Sequence, residues 1–278
     1  MTLVSAKEFH STLPSQHRLR NVLPVQMAMK HRALENRLLS SLPSEEYQQL
    51  WSKLELVYMQ RGEVIYESGG VLAYAYFPLN CIASMLYIME DGASSEVALV
   101  GKEGMIGVAL LMGGDTMPHR AVVHTQGFAY RLKKGLLEQE IKQNTALFHR
   151  LLLYTQALIT QMAQISACNR HHSLDQRLCR LLLQIIDRLD TDEFVMTQEL
   201  MSHILGVRRE GVTEAAGKLQ QANLIKYSRG HITVLNRQGL QTLACECYQV
   251  VKTEFDRLLP MPANVDEPKF LSLKLPTM

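Results

Sequence analysis

Hydrophobic positions change their period twice along this chain. Between Leu56 and Leu136 apolar residues alternate with polar or small ones in short runs: VYMQRGEVIY, LAYAYFP, ASMLYIM, SEVALVG and RAVVHTQGFAYRL. A period of two marks half-buried strands. Asp91-Gly92 between two of the runs is a hairpin signal. Many short strands at even spacing predict an antiparallel barrel or jelly roll. Ahead of it, Asn36 to Leu42 reads as a short apolar helix ending before Pro43, and Ser44-Glu45-Glu46 as the capped start of another. From about Gly135 the period becomes helical. Leu147, Leu151, Tyr154, Leu158, Met162 and Ile165 recur every three or four residues and predict one long helix with an apolar stripe. Such a stripe serves either as a dimer seam, the expectation taken here, or as packing against the chain's own barrel. Leu178 to Leu189 predicts a further apolar helix, closed by Asp190-Thr191-Asp192.

A third pattern occupies Val195 to Leu240. Thr197 is a helix cap, followed by the amphipathic Leu200, Met201, Ile204 and Leu205. Gly206 supplies a turn, and a second helix starts near Arg208. That arrangement is a helix-turn-helix. Val212, Ala215, Ala216 and Leu219 form the second helix's inner face, while Glu210, Thr213, Glu214 and Gly217 project outward. LIKYSRGHITV then reads as strand, tight turn, strand, a β-wing with Lys226, Arg229 and His231 near its tip. Guanidinium groups on the first turn of such a helix suit guanine edges or phosphate. The bland alternative is a helical subdomain with a solvated basic face.

Composition narrows these readings. With 278 residues the chain can bury a real core, in one large domain or two ordinary ones. The net charge is only +2, so a nucleic-acid surface has to be local. Residues 195–240 carry six Lys/Arg against three acids. The cysteines Cys81, Cys168, Cys179, Cys245 and Cys247 are odd in number and lack a CxxC pair, which argues against a disulfide framework and for a reduced, cytoplasmic setting. Ser68 to Met89 is uncharged and long enough to span a bilayer, but Gly69, Gly70, Pro78 and Asn80 break it into strands. No signal-peptide core opens the chain and no membrane partner is expected. No nucleophile–base pair, P-loop, metal cassette or nucleotide-binding glycine fingerprint is found, so an enzyme is not expected. His171-His172 with Asp175 reads as a polar helix junction, and no metal ligands are assigned.

MTQELMSHILGVRREGVTEAAGKLQQANLIKYSRGHITV resembles the winged helix-turn-helix of the Crp–Fnr superfamily of bacterial transcription regulators. ACNRHHSLDQRLCRLLL resembles that family's link from dimer helix to DNA-binding domain, and YFPLNCIASMLYIMEDGASSEVALVGKEGMIGVALLMGG its sensor jelly roll. The resemblance implies a homodimer, with one recognition helix per subunit in successive major grooves of double-stranded DNA, and RNA polymerase as a partner. The family's Arg-Glu pair falls on Arg209-Glu210, the next outward position is Thr213, and Glu214 stands where a basic residue often helps. Cyclic-nucleotide-binding members hold ribose with a glutamate and the cyclic phosphate with an arginine. Here the loop reads Gly104-Met105-Ile106-Gly107, so Met105 replaces the carboxylate, while Arg120 matches the phosphate position. A cyclic nucleotide is therefore not expected, and Lys102 and Glu103 read as loop surface. The N-terminal cysteine cluster of iron–sulfur members is missing, since the first cysteine is Cys81. No cofactor is evident; haem stays open, since several His and Met residues could ligate it.

The expected fold is α+β. A flexible arm at 1–33 precedes a cyclic-nucleotide-binding-like β-roll at 34–140, and a dimerisation helix and hinge follow at 141–190. A winged helix-turn-helix occupies 191–250, and a tail 251–278. Thr197, Gln198, Arg208, Arg209, Glu210, Thr213, Lys226, Ser228, Arg229 and His231 are the candidate DNA contacts. Gly104, Met105, Gly107 and Arg120 are the candidate effector contacts. The expected function is transcription regulation at a pseudo-palindromic operator; the alternative is a ligand-sensing module with incidental DNA contact.

Overall fold

The computed structural model describes residues 35–260; the N-terminal arm expected at 1–33 lies outside them. Two short helices, α1 (Arg37–Ser40) and α2 (Ser44–Trp51), lead in. Asn36 caps α1 by accepting from the Leu38 and Leu39 amides. Ser44, expected as a cap, opens α2 itself, with Pro43 at the cap position; a shift of one residue is within the usual fraying of helix ends.

The strands are β1 (Glu55–Met59), β2 (Val64–Tyr66), β3 (Tyr74–Pro78), β4 (Ile82–Ile88), β5 (Ser94–Val100), β6 (Arg120–Thr125) and β7 (Gly127–Lys133). They form two antiparallel sheets, β1-β7-β3 and β2-β6-β4-β5. The period-two runs thus become strands of a β-roll, with RAVVHTQGFAYRL divided between β6 and β7. Gly92, at φ 83°, lets the β4–β5 hairpin turn where Asp91-Gly92 predicted it.

The chain then turns helical through α3 (Lys134–Gln143) into the long α4 (Thr145–His171), capped by the Asn144 carboxamide on the Leu147 amide at 2.7 Å. Leu147, Leu151, Tyr154, Leu158 and Ile165 are buried within the subunit, four of them in the core of the roll. The stripe expected as the seam is a core face, because the roll needs a lid over its open side. A second row, Phe148, Leu152 and Ile159, stays exposed on a flank of α4, about a third of a turn round from the buried stripe.

A capping box of Ser173 and Gln176 starts α5 (Leu174–Leu189). Then come β8 (Glu193–Val195), α6 (Gln198–Leu205), α7 (Arg209–Gln221), β9 (Ile225–Ser228), β10 (His231–Val234) and α8 (Arg237–Leu243). β8 pairs with β10, so the wing is a three-stranded sheet, β8-β10-β9. Helix α5 supplies Leu178, Leu181, Leu182 and Ile185 to the same core as Val212, Ala215 and Leu219, and Ile82 and Leu99 of the roll reach into it.

A last helix, α9 (Cys247–Leu258), overlaps the start of the expected tail. Its Val251, Phe255 and Leu258, with Leu259, are buried in the core of the roll, so the chain is anchored to position 259; residues 261–278 lie outside the described residues. No described helix is long and apolar enough to cross a membrane.

Burial also sets an acid limit on the roll. His124 on β6 is almost fully buried, and desolvation, with Arg61 nearby, depresses its pKa to about 3. The folded state keeps this ring neutral while the unfolded chain protonates it below about 6.5. Its contribution is complete above that value and lost as pH falls, at roughly 1.4 kcal/mol per unit. His119 is depressed in the same direction by desolvation. The unfolding free energy from urea titrations is expected to drop by about 2 kcal/mol between pH 6.5 and pH 5 on account of His124. A His124→Asn protein should show a shallower slope, and an unchanged slope refutes the assignment.

Candidate nucleic-acid interface and sensor loop

The two helices of the helix-turn-helix meet around Gly206, which ends α6 in the left-handed region at φ 61°. The small residues of α7 have separate reasons. Val212, Ala215, Ala216 and Leu219 are buried, as their spacing predicts. Gly211 lies against Leu174, where an added Cβ would come within 3.1 Å of its Cδ2, so α7 seats close on α5. Gly217 meets nothing within 4 Å and keeps the outer surface low.

On that outer side Arg208, Arg209, Glu210 and Thr213 are exposed. Arg208 is the N-cap residue of α7, with no side-chain cap bond, which leaves the helix's first amides available to an anion. Among the described residues none of Arg208, Arg209 and Glu210 is taken up in an ion pair, whereas Lys218 pairs with Glu214 at 3.0 Å and Asp175 at 3.3 Å. The Thr213 hydroxyl lies 2.9 Å from the Gln198 carboxamide oxygen, tying α7 to the half-buried start of α6.

The wing turns through Arg229 (φ 50°) and Gly230 (φ 84°), the left-handed pair a two-residue hairpin requires. Lys226, Ser228, Arg229 and His231 are exposed around this tip. The Met196 amide donates to the Gly230 carbonyl at 2.7 Å, which sets the tip beside exposed Thr197. The structure therefore ties α7 to the start of α6 and the wing tip to Thr197, with the candidate DNA residues exposed except for half-buried Gln198.

The sensor loop is filled rather than open at the positions singled out. Met105 is fully buried in the core of the roll. Its carbonyl accepts from the Tyr154 hydroxyl of α4 at 2.8 Å. Gly104 is pressed against that ring, so that a Cβ would stand 2.3 Å from it. Gly107 turns at φ 101° into a short 3₁₀ segment, Val108–Leu110. Arg120 pairs with Glu67 at 3.4 Å, and its buried Nε has no partner among the described residues.

Glu103 departs from its reading as loop surface. It is buried and pairs with Arg188 of α5 at 2.7 Å. Arg188 also donates to the carbonyls of Gln184 at 2.9 Å and Leu99 at 3.3 Å. Lys102 beside it pairs with Asp190. The sensor loop thus holds the end of the helix that supports the DNA-binding domain. Near this junction Glu96 of β5 is wholly buried. Desolvation raises its pKa, against a 2.6 Å bond from the Ser84 hydroxyl and the charges of Arg180 and Arg188. A cleft of about 620 Å³ opens between these parts, lined by Lys102, Arg188, Tyr248 and Phe255 among others.

At the far end of α4 the chain brings Cys168, His172, Cys245 and Cys247 together, with their donor atoms all within 4.8 Å of one another. Cys168 is held low, its pKa about 5, by a hydrogen bond from Cys245 and, against the effect of burial, by Arg180. Cys245 is correspondingly raised. The sequence separates these residues by up to 79 positions. The signals available there are the four-residue Cys168–His172 spacing and the Cys245-x-Cys247 pair.

A β-roll whose loop grips a winged helix-turn-helix, with a cationic helix start left free, is the architecture of a DNA-binding regulator. Family comparison agrees in both halves: the cyclic nucleotide-binding domain model matches residues 56–144, and the Crp-like helix-turn-helix domain model matches residues 176–243. The chain belongs to the Crp–Fnr superfamily of transcription regulators. It is 22% identical over 196 residues to the global nitrogen regulator of Synechococcus elongatus, covering 67% of this chain and 88% of that one. Among solved structures, FixK2 from Bradyrhizobium japonicum superposes with a TM-score of 0.61 at 18% identity, covering 69% of this chain and 98% of that chain. A CRP-family transcriptional regulator from Thermus thermophilus gives 0.58 at 18% identity, over 68% and 96%. These structural likenesses concern the fold.

Proposed function

We propose that the chain binds a pseudo-palindromic operator as a homodimer, each subunit placing the first turn of α7 in a major groove, with half-sites about 34–36 Å apart. The observation that carries this reading is the exposed Arg208-Arg209-Glu210 turn, free of ion pairs among the described residues, with exposed Thr213 beside it bonded to Gln198 of α6. Arg209 and Glu210 read bases and Thr213 extends the row. Lys226, Ser228, Arg229 and His231 grip the flanking backbone. Exposed Phe148, Leu152 and Ile159 of α4 supply the seam. RNA polymerase is the partner through which binding acts on transcription.

The effector reading changes with Met105. A ribose hydroxyl placed there would lose a charge-assisted partner, at a cost of about 1.5–3 kcal/mol, and the loop is already packed on Tyr154. The roll therefore does not take a cyclic nucleotide in the family's manner, and DNA binding is proposed to be independent of one.

Selection of bound duplexes followed by titration tests the reading. Arg209→Ala is expected to weaken the selected operator by about 1–3 kcal/mol and to relax one base position. Lys226→Ala or Arg229→Ala is expected to weaken all duplexes alike and flatten the dependence on salt. A footprint with one unrepeated half-site, or an Arg209→Ala protein as selective as its parent, overturns the proposal.

A further inference from the structure

The four donors at the end of α4 are arranged as a ligand set. Cys168 sits in the last turn of α4 and His172 is its C-cap residue, four positions on and so on the same face. Cys245 and Cys247 flank Glu246 where α8 gives way to α9. The three thiols are buried together as a small cluster. Cys168 Sγ lies 3.5 Å from Cys245 Sγ, and Cys247 Sγ lies 3.4 Å from His172 Nδ1. Around a tetrahedral zinc ion, sulfur ligands stand about 3.8 Å apart and sulfur and nitrogen about 3.6 Å. These two separations lie within a few tenths of an ångström of that polyhedron, and all four donors lie within 4.8 Å of one another. An iron–sulfur cluster sets its own iron and sulfide atoms between the thiolates and needs wider spacing than this.

The surroundings point the same way. With Nδ1 facing the thiols, His172 presents Nε2 to the Glu246 carboxylate at 3.2 Å. A carboxylate on the outer nitrogen is what fixes the ring of a metal-bound histidine. The Gln164 carboxamide donates to Cys247 Sγ at 3.1 Å. Arg177 and Arg180 of α5 are buried, each with a Nε atom lacking a partner among the described residues, and both are electrostatically coupled to Cys168. Three thiolates and a neutral imidazole around Zn²⁺ leave one net negative charge. Two buried guanidinium groups beside the site are the counterweight such a centre requires.

We propose that Cys168, His172, Cys245 and Cys247 bind one zinc ion, a clip that fastens the end of α4 to the junction of α8 and α9. Each thiol that still holds its proton releases it to water on coordination. The clip closes the DNA-binding domain into a loop: α5 leaves the site at one side and α8 returns to it at the other. Arg177, beside the site, also donates to the Leu205 carbonyl at the C-terminal end of α6. Zinc thereby holds the helix-turn-helix at a set angle to α4. This last step rests on the DNA-binding reading; the metal site does not.

The test uses the full chain, purified under reducing conditions. Elemental analysis is expected to find one zinc per chain, retained on dialysis. Replacement by cobalt is expected to give the visible bands of tetrahedral cobalt with thiolate charge transfer. A chelator should expose three further thiols to a colorimetric thiol reagent, and added zinc should protect them again. Cys245→Ser with Cys247→Ser should abolish the cobalt bands, whereas Cys81→Ala and Cys179→Ala should leave them. Glu246→Ala is expected to weaken zinc by about 10–100-fold.

If the double cysteine variant fails to fold, the chelator and cobalt measurements on the parent still decide. Cobalt binding without thiolate bands, iron in place of zinc, a Cys168–Cys245 disulfide in the reduced preparation, or no metal at all overturns the proposal. Zinc removal is expected to lower operator affinity at least tenfold. If zinc binds as described and duplexes are ignored, the DNA reading fails and the metal site stands. If zinc binds and its removal leaves operator affinity unchanged, the clip's role in orientation is refuted.

Discussion

Replacing Arg188 with alanine is expected to loosen the DNA-binding domain from the sensor by about 3–5 kcal/mol. The figure follows from what the substitution leaves behind. Glu103 would remain buried as a carboxylate whose charged partner is gone, retaining the Gly101 amide at 3.2 Å. The carbonyls of Gln184 and Leu99 would each lose the guanidinium as a donor, although Leu99 keeps the Gln161 carboxamide at 3.1 Å. The stem of Arg188 also lies over Gly101, where a Cβ would stand 2.9 Å from it, so packing is lost with the charge.

Urea titration with two probes measures the effect. The single tryptophan, Trp51, reports the sensor side, and circular dichroism reports the helices. One transition in the parent is expected to separate into two in Arg188→Ala. The paired change Glu103→Leu with Arg188→Met is expected to restore most of the stability, because an apolar pair of similar size leaves no buried charge. A shift below about 1 kcal/mol in Arg188→Ala would mean that the pair is solvated and does not fasten the domains.

Ile159→Asp is expected to convert the proposed dimer to monomers. An isoleucine side chain brought out of water is worth about 1.5–3 kcal/mol, and a symmetric seam counts it twice. The dimer dissociation constant should rise by roughly two to four orders of magnitude. The introduced carboxylates would add to this if they face each other in the seam. Operator affinity should fall in step, since half-sites are then engaged singly. Sedimentation over a range of concentrations reads the effect directly. Leu158→Ala is the control: that side chain is buried in the subunit's own core, so the change should lower stability and leave assembly alone. If Ile159→Asp assembles as tightly as its parent, the exposed row on α4 is not the seam.

These two residues also show where the sequence could be read and where it could not. Alternation marked strands such as β3 and β7, where one face of the sheet is on the core, whereas β4 buries both faces, Ala83 and Met85 in the roll and Ile82 in the second core. The inner face of α7 was legible because its period, its cap and Gly206 all act within a few residues. The long stripe of α4 was misassigned because a helix packed on its own domain and a helix packed on a twin obey one periodicity. Only the fold shows that Leu151 faces the roll and Leu152 faces outward. Helix α9 was readable and was missed: Tyr248, Val251, Phe255 and Leu258 recur every three or four residues with charges between them, the pattern of a helix with one buried face. Glu103 and Arg188 are 85 positions apart, and nothing local in either pairs them. Cys168, His172, Cys245 and Cys247 belong to the same class of long-range meeting, although each half carries a short spacing that fits a ligand pair.

The fit between Gly104 and Tyr154 has a mechanical consequence. The loop and the long helix touch with no slack between them, and the Tyr154 hydroxyl is moored to the Met105 carbonyl from the other side. The joint therefore transmits both thrust and pull. Whatever stimulus displaces this loop by a fraction of an ångström has to carry α4 with it, which makes the helix a push-rod without backlash.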